Sequence, residues 1–503
     1  MGSNVEKEVH NELRKNSVGL FGLTSFSLVN IFPLSFAVTT AATAVVYGGF
    51  AAPLVPLFAG LVTLAVSLPM IMFARKIHHA GGYYAFAEAG LGKAVGKYVS
   101  TLLLFYYIMA DLSAVIPTSY VLATGLQYIF NYTMPIWLYI ALTVLFTFVM
   151  FIMTVLDVRY SPKVLMVIAL VQLIVGGILA GVVILRTPYN SLAAFDPRVV
   201  PGGIGAFMLA IMTGGFLTFT GYGAPLFMSE EAKNPEKTVP YSIIIALVTV
   251  TLFSILMMYA EVAAVGMQNA ASLSSDWNPA VVAFLPYAGF IPTLIFFAIA
   301  VIGQLWCGAA VGMAGAREIY AMARDGFLFP KSLSKTSVKY KTPVMAALFE
   351  LIVVLVMGIG GTLLFYDYFG YSMGIFYSWV FWGALTTLAW VIYHSIVNLA
   401  YIGFVRKVKE MLSLANISAI ILGLIGVAIF VLTGYYAYNG IGAPYNYGLY
   451  GSIAWFVLSL IYVVYKWHKK EIKSTLFLIF QKADYISEFF IYYKLFFVIN
   501  NDT

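Results

Sequence analysis

Charge is what this chain has least of. Asp, Glu, Lys and Arg make up 10% of its 503 residues and hydrophobic residues 62%, whereas a soluble domain carries roughly 25% charged residues. The chain therefore reads as an integral membrane protein. A single cysteine, Cys307, excludes an intrachain disulfide and a Cys-x-x-Cys metal site. Histidine is scarce too, and His78 and His79 adjoin Arg75 and Lys76 in a loop, without the i, i+4 spacing or flanking ligands of a helix-borne metal site. No G-x-x-x-x-G-K-[ST] loop and no sizeable soluble domain offers a nucleotide site. Nor does a convergent set of nucleophile, base or metal ligands mark an enzyme. No cofactor is expected. The net charge of +7 would suggest nucleic acid in a soluble protein, but here the positions of the charges describe topology, and no nucleic-acid partner is expected.

What is present in abundance is long apolar runs. Taking about 20 apolar residues as one span gives twelve: residues 18–46, 50–74, 98–126, 135–156, 164–185, 204–229, 240–265, 291–316, 343–364, 372–403, 413–436 and 449–466. With these spans, 26 of the 28 Lys and Arg residues fall on one face, and only Arg186 and Arg198 on the other. Because basic residues collect on the cytoplasmic side, both termini are expected there, in a plasma-membrane protein embedded in the lipid bilayer. Residues 1–17 form a charged cytoplasmic segment; the apolar run after them is too long for a signal-peptide core and ends in no cleavage site, so it is expected to be retained. Residues 474–500 carry Lys482, Asp484, Glu488 and Lys494 opposite an apolar stripe, the pattern of an amphipathic helix lying on the membrane surface.

One span is interrupted near its middle. Thr218, Thr220, Gly221, Gly223 and Pro225 cluster in the sixth span, and Ser25, Ser27, Asn30, Pro33 and Ser35 in the first. Irregular backbone at that depth is tolerated only where it is buried in protein or lines a cavity. Interrupted spans at corresponding places in two halves point to the binding site of a transporter built from inverted repeats. Freed N–H groups suit a carboxylate and freed carbonyls an ammonium group or a cation, so an amino acid zwitterion matches both. The plainer alternative is that Gly221 and Gly223 only permit close helix packing.

Three stretches resemble the amino acid, polyamine and organocation transporter superfamily. "GFLTFTGYGAPLFMSEEAKNPEKTVPYSI" is similar to its sixth-helix signature, "HHAGGYYAFAEAGLG" to its loop after the second helix, and residues 315–348, "GAREIYAMARDGFLFPKSLSKTSVKYKTPVMAAL", to its segment after helix eight. The resemblance covers residues 18 to about 466. It implies an all-α, leucine-transporter-type fold of twelve helices. Residues 18–185 and 204–403 would form a 5+5 inverted repeat with discontinuous helices 1 and 6, followed by two further spans in residues 413–466. The substrate would sit against Ser27, Leu28, Val29, Asn30 and Ile31 in the first span and Phe219, Thr220, Gly221 and Gly223 in the sixth, with Phe219 as an aromatic gate. The first span departs from the family's G-[SA]-G-I-F; its matching stretch is "LVNIF", residues 28–32, with no glycine between Gly22 and Gly48.

Asp111 is the one ionisable residue placed near mid-membrane. Such a residue costs about 2.5 to 3.5 kcal/mol on insertion scales and is a functional hypothesis by default: a proton carrier, a counter-charge for a cationic substrate, or a packing partner. At the fifth-helix position where some proton-coupled members carry a lysine, this chain has Gln172. Glu350 and Glu261, near span ends, read as structural, and Glu230 and Glu231, with Lys233 and Lys237, as a solvated cytoplasmic face that pairs across the inner gate. The reading that results is a secondary amino acid transporter working by alternating access, proton-coupled or an exchanger. A polyamine or organocation carrier and, less favoured, a multi-span channel are the alternatives.

Overall fold

The computed structural model describes residues 16–474, apart from 35, 157–161, 275–277, 338–339, 341, 410–412, 440–441 and 443–444. The expected surface helix at residues 474–500 and most of the N-terminal segment lie outside the described residues.

The described chain is helical, with one isolated bridge between Val18 and Ala232. Its helices are α1 (Leu20–Ile31), α2 (Ala41–Gly48), α3 (Leu54–Ala74), α4 (Tyr83–Leu91), α5 (Lys93–Phe130), α6 (Ile136–Val155), α7 (Pro162–Arg186) and α8 (Gly203–Ala210). They continue as α9 (Phe216–Phe219), α10 (Ala224–Phe227), α11 (Pro235–Val265), α12 (Pro279–Ala288), α13 (Phe290–Arg324), α14 (Val344–Lys407), α15 (Leu414–Tyr438) and α16 (Tyr445–His468). Among the described residues, ten helical stretches are long and apolar enough to cross a membrane. In lipid the helix satisfies its own backbone, which is why apolar runs of this length take no other form.

At a rise of 1.5 Å per residue, the 64 residues of α14 would extend about 96 Å, far beyond one bilayer. The chain turns at Gly370, whose φ of 72° and ψ of −176° interrupt the helix in a region that glycine enters without steric cost. Two helices of ordinary length result.

Burial separates centre from rim. In α5, 89% of the most apolar stretch is buried, against 22% in α6 and α16. Helix α5 packs on α13, α14 and α4, while α6, α7, α15 and α16 turn large apolar side chains such as Ile174, Ile178, Val431 and Leu458 outward. An apolar exterior around a polar interior is the arrangement that lipid selects.

Candidate functional site

Two breaks meet in the interior. The first follows α1: Phe32 takes φ 56° and ψ 91°, and its N–H donates to Leu28 O. Pro33, which lacks an N–H and restricts the residue before it, explains why the helix stops there; a phenylalanine at positive φ is uncommon and needs surrounding support. The chain re-enters helix through a wide turn at Phe36–Thr40 and then α2. The break thus comes just after Ser27, Leu28, Val29, Asn30 and Ile31, all of which are buried within α1.

The second break separates α9 from α10. Thr220 is extended (φ −58°, ψ 139°) and Gly221 has φ 95°. A Cβ at Gly221 would lie 2.3 Å from Asn30 Oδ1 and 3.1 Å from Asn30 O, so both its torsion and its neighbour require glycine. At Gly223 a Cβ would fall 1.8 Å from Tyr83 Oη. The breaks are tied together: Ser27 Oγ donates to Tyr222 O at 3.0 Å, and the hydroxyls of Thr40 and Thr218 are 3.0 Å apart. The freed carbonyl of Asn30 accepts from Cys307 Sγ at 3.2 Å.

Between the breaks lies a cavity of about 40 Å³, room for roughly three waters. Asn30, Ile31, Thr220 and Gly221 line it, with Tyr106 and Ser113 of α5, Gln304 of α13 and Trp379 of α14. None of its lining residues is Asp, Glu, Lys, Arg or His. Asn30 Nδ2 and Gln304 Oε1 are buried without a hydrogen-bond partner among the described residues, while Gln304 Nε2 donates to Ala114 O at 3.2 Å. A buried amide left one bond short costs about 1–3 kcal/mol, so two residues of the lining carry unfilled hydrogen-bonding capacity.

The remaining sequence-derived positions divide. Ser27, Leu28 and Val29 are not in the lining, nor is Gly223. Phe219 is fully buried outside it; the aromatic walls come from Tyr106 and Trp379, and Trp379 carries no sequence signal because it sits in an ordinary apolar run. Gln172 is buried against Gly303, with both amide atoms unpartnered among the described residues. Asp111 lines a second cavity of about 30 Å³, which it shares with Glu350.

The bundle end where α1 begins and α13 finishes is closed by ion pairs. Arg317 Nε lies 3.0 Å from Glu231 Oε1, both nearly inaccessible, and Arg324 reaches both oxygens of Glu230 at 3.1 and 3.2 Å. Ser17 and Val18 N–H groups donate to Glu231 O, and Lys233 N–H to Val18 O. Glu230 and Glu231 are therefore partners of α13, not a solvated face, because basic residues some 90 positions downstream reach them. Burial opposes ionisation of Glu230, yet Arg324 and His79 beside it hold its carboxyl below the ordinary value. Burial, reinforced by Arg324, presses the His79 imidazole down to about 4.

Helices long enough to span a bilayer, opened in mid-course around a polar enclosure, define a multi-pass membrane protein of the transporter class. The chain belongs to the amino acid permease family, whose model matches residues 22–477. It is 29% identical to the branched-chain amino acid permease BcaP of Bacillus subtilis over 370 residues, 67% of this chain and 72% of that protein. It is also 24% identical to the glutamate/serine transporter AimA of B. subtilis over 40% of this chain and 38% of that protein. A third relative is the low-affinity putrescine importer PlaP of Escherichia coli K12, 24% identical over 57% of this chain and 62% of that protein. Members of the family are transporters, not enzymes.

Proposed function

We propose that this chain is a secondary transporter that carries a neutral, apolar amino acid across the plasma membrane by alternating access, with the substrate held between the α1 break and the Thr220–Gly221 break. Ser27, Leu28 and Val29 would set the α1 segment in place, and Asn30, Ile31, Thr220 and Gly221 would face the ligand. The single observation that carries this reading is a cavity between the two breaks with unfilled amide bonds and no charged side chain in its lining. Asn30 Nδ2 is a donor for a substrate carboxylate and Gln304 Oε1 an acceptor for its ammonium group, while Ile31, Leu217, Val311 and Trp379 suit an apolar side chain. BcaP, named for branched-chain amino acids, supports that choice.

The twelve-span, 5+5 architecture is part of the same proposal. Leaving aside the short helices α4 and α12, and counting α1 with α2, and α8 through α10, as single broken spans and α14 as two, gives twelve. Residues 18–185 and 204–403 then form the repeats, with both termini cytoplasmic by the distribution of basic residues. The space of about 40 Å³ is smaller than an amino acid, so substrate is admitted only when the walls part, as a carrier requires and an open pore does not.

PlaP among the relatives keeps an organocation carrier in view, but a dication would lie in a cavity without a carboxylate. Purified protein in liposomes, loaded with unlabelled leucine or unlabelled putrescine and presented with the same compound labelled, separates the readings. Saturable leucine counterflow with no putrescine counterflow is expected; putrescine counterflow alone would overturn the amino acid assignment, and unsaturable flux would overturn the carrier.

A further inference from the structure

The second cavity, between α5, α6, α13 and α14, contains Asp111, Glu350, Thr147 and Thr154, with Gly312 forming its floor. Asp111 is 5% and Glu350 3% exposed, and their carboxyl groups share the lining of this one cavity. Two buried carboxylates facing one small space repel each other, an arrangement that favours a proton on the pair. No Lys, Arg or His lines the cavity, so an ion pair does not account for the burial. The space is large enough for a water molecule, and the carboxyl and threonine oxygens on its otherwise apolar wall offer the hydrogen bonds to hold one.

The pair is not isolated. Tyr107, one turn before Asp111, lies among Asp111, Glu350 and Glu318. Glu350 Oε1 has no hydrogen-bond partner among the described residues and abuts Gly315, where a Cβ would come within 2.0 Å of it. Neither oxygen of the fully buried Glu318 has a partner among the described residues. Beyond Glu318 stand Lys97 and Asp325, 3.4 Å apart, and Tyr84 Oη, which donates to Asp325 Oδ2 at 3.0 Å. Asp111 is further faced by Tyr106 and Cys307. A column of acidic side chains thus runs from mid-membrane to the end of α13.

We propose that Asp111 and Glu350 form the proton-binding site that couples transport, with Glu318 relaying the proton towards the α13 end of the bundle. The pair holds one proton between its oxygens, a second makes it neutral, and release breaks one O–H bond at Glu350 as another forms on a water or on the Glu318 carboxylate. Small residues at Gly312 and Gly315 leave the room this needs. The cavity is separate from the substrate cavity, so substrate and proton load independently and are linked through the helices α5 and α13 that line both.

This inference rests on the transport reading, and its test distinguishes the two. The full chain is reconstituted in phosphatidylethanolamine–phosphatidylglycerol liposomes with a trapped pH-sensitive dye, and leucine is added outside without any sodium gradient. Wild type is expected to acidify the lumen. Glu350→Gln and Asp111→Asn are each expected to reduce leucine-driven acidification about tenfold or more while leucine counterflow persists, Glu350→Asp to restore part of it, and Glu318→Gln to slow it. Acidification by Glu350→Gln and Asp111→Asn at the wild-type rate would overturn the site, as would wild-type counterflow with no acidification. Absence of counterflow in wild type would instead remove the transport reading itself.

Discussion

Two cavities of similar size, about 40 and 30 Å³, share the walls of α5 and α13 yet differ in chemistry. One is lined by hydroxyls, amides, a thiol and apolar groups, with no carboxyl or basic side chain; the other holds two carboxyls and no base. A neutral cavity recognises a zwitterion by directed hydrogen bonds, since it supplies no net charge to favour either end. A carboxyl pair recognises only charge, and a proton is the smallest carrier of it. On the proposed reading the first cavity selects the substrate and the second couples the energy, although Asp111 lies only one residue beyond Ala110 of the first cavity.

The comparison is broken most severely at Gly221. Gly221→Leu places a Cβ 2.3 Å from Asn30 Oδ1 at a φ of 95°, combining overlap with a torsion that costs a non-glycine residue of order 1–3 kcal/mol. Leucine binding is expected to fall at least about 100-fold, equivalent to about 2.8 kcal/mol, measured by ligand-induced thermal shift on protein that remains monodisperse. Gly177→Leu, at a helix position with no atom within 4 Å of the new Cβ, serves as the control and should bind normally. Undiminished binding by Gly221→Leu would detach the substrate from the break.

A smaller effect tests neutrality itself. Asn30→Asp preserves shape, removes the free Nδ2 donor and places a carboxylate in the first cavity. Leucine affinity is expected to drop about tenfold, the size of one hydrogen bond to a charged group, while putrescine binding rises from background. Asp111→Asn, outside the lining, is expected to leave the ranking of leucine over putrescine intact. A changed ranking there would merge the two cavities into one functional site.

What could be read from the sequence follows from how local each cause is. Gly221, Gly223 and Pro225 mark the second break because glycine and proline act on their own backbone. The first break has no glycine, so Asn30 and Pro33 with nearby serines are its markers, and the proline's effect lands on Phe32 rather than on Ser27–Ile31. Asp111 stands out as a charge in an apolar run, whereas its partner Glu350 lies in a distant span and was read as structural. Trp379 lines the cavity without a sequence signal and Phe219 lies outside the lining for the same reason: which aromatic faces a cavity is set by packing between helices. The pairing of Glu230 and Glu231 with Arg324 and Arg317 likewise depends on tertiary approach, which no local charge pattern encodes.

The smallest expected effect concerns a third charged region, whose titration must be told apart from that of the carboxyl cavity. His79 is buried, its Nδ1 faces the Gly81 N–H at 2.9 Å, and its Nε2 faces Arg324 Nη2 at 2.8 Å. Protonation would set a cation against Arg324 and lose the acceptor at Nδ1; Glu230 and Asp325 offset this only in part. Its proton affinity is thus lower folded, about 4, than in the unfolded chain, near 6.5. The unfolded state binds more protons between those values, so stability is complete above the unfolded value and declines as pH falls towards 4. Between about pH 7.5 and 5.5 the loss is about 1 kcal/mol, visible as a lowered thermal unfolding midpoint in detergent. His79→Asn is expected to flatten this slope without abolishing the pH dependence of leucine-driven acidification, because Asp111 and Glu350 remain. If instead the variant removed the pH dependence of transport and left the unfolding slope unchanged, coupling would belong to the closed bundle end rather than to the buried carboxyls.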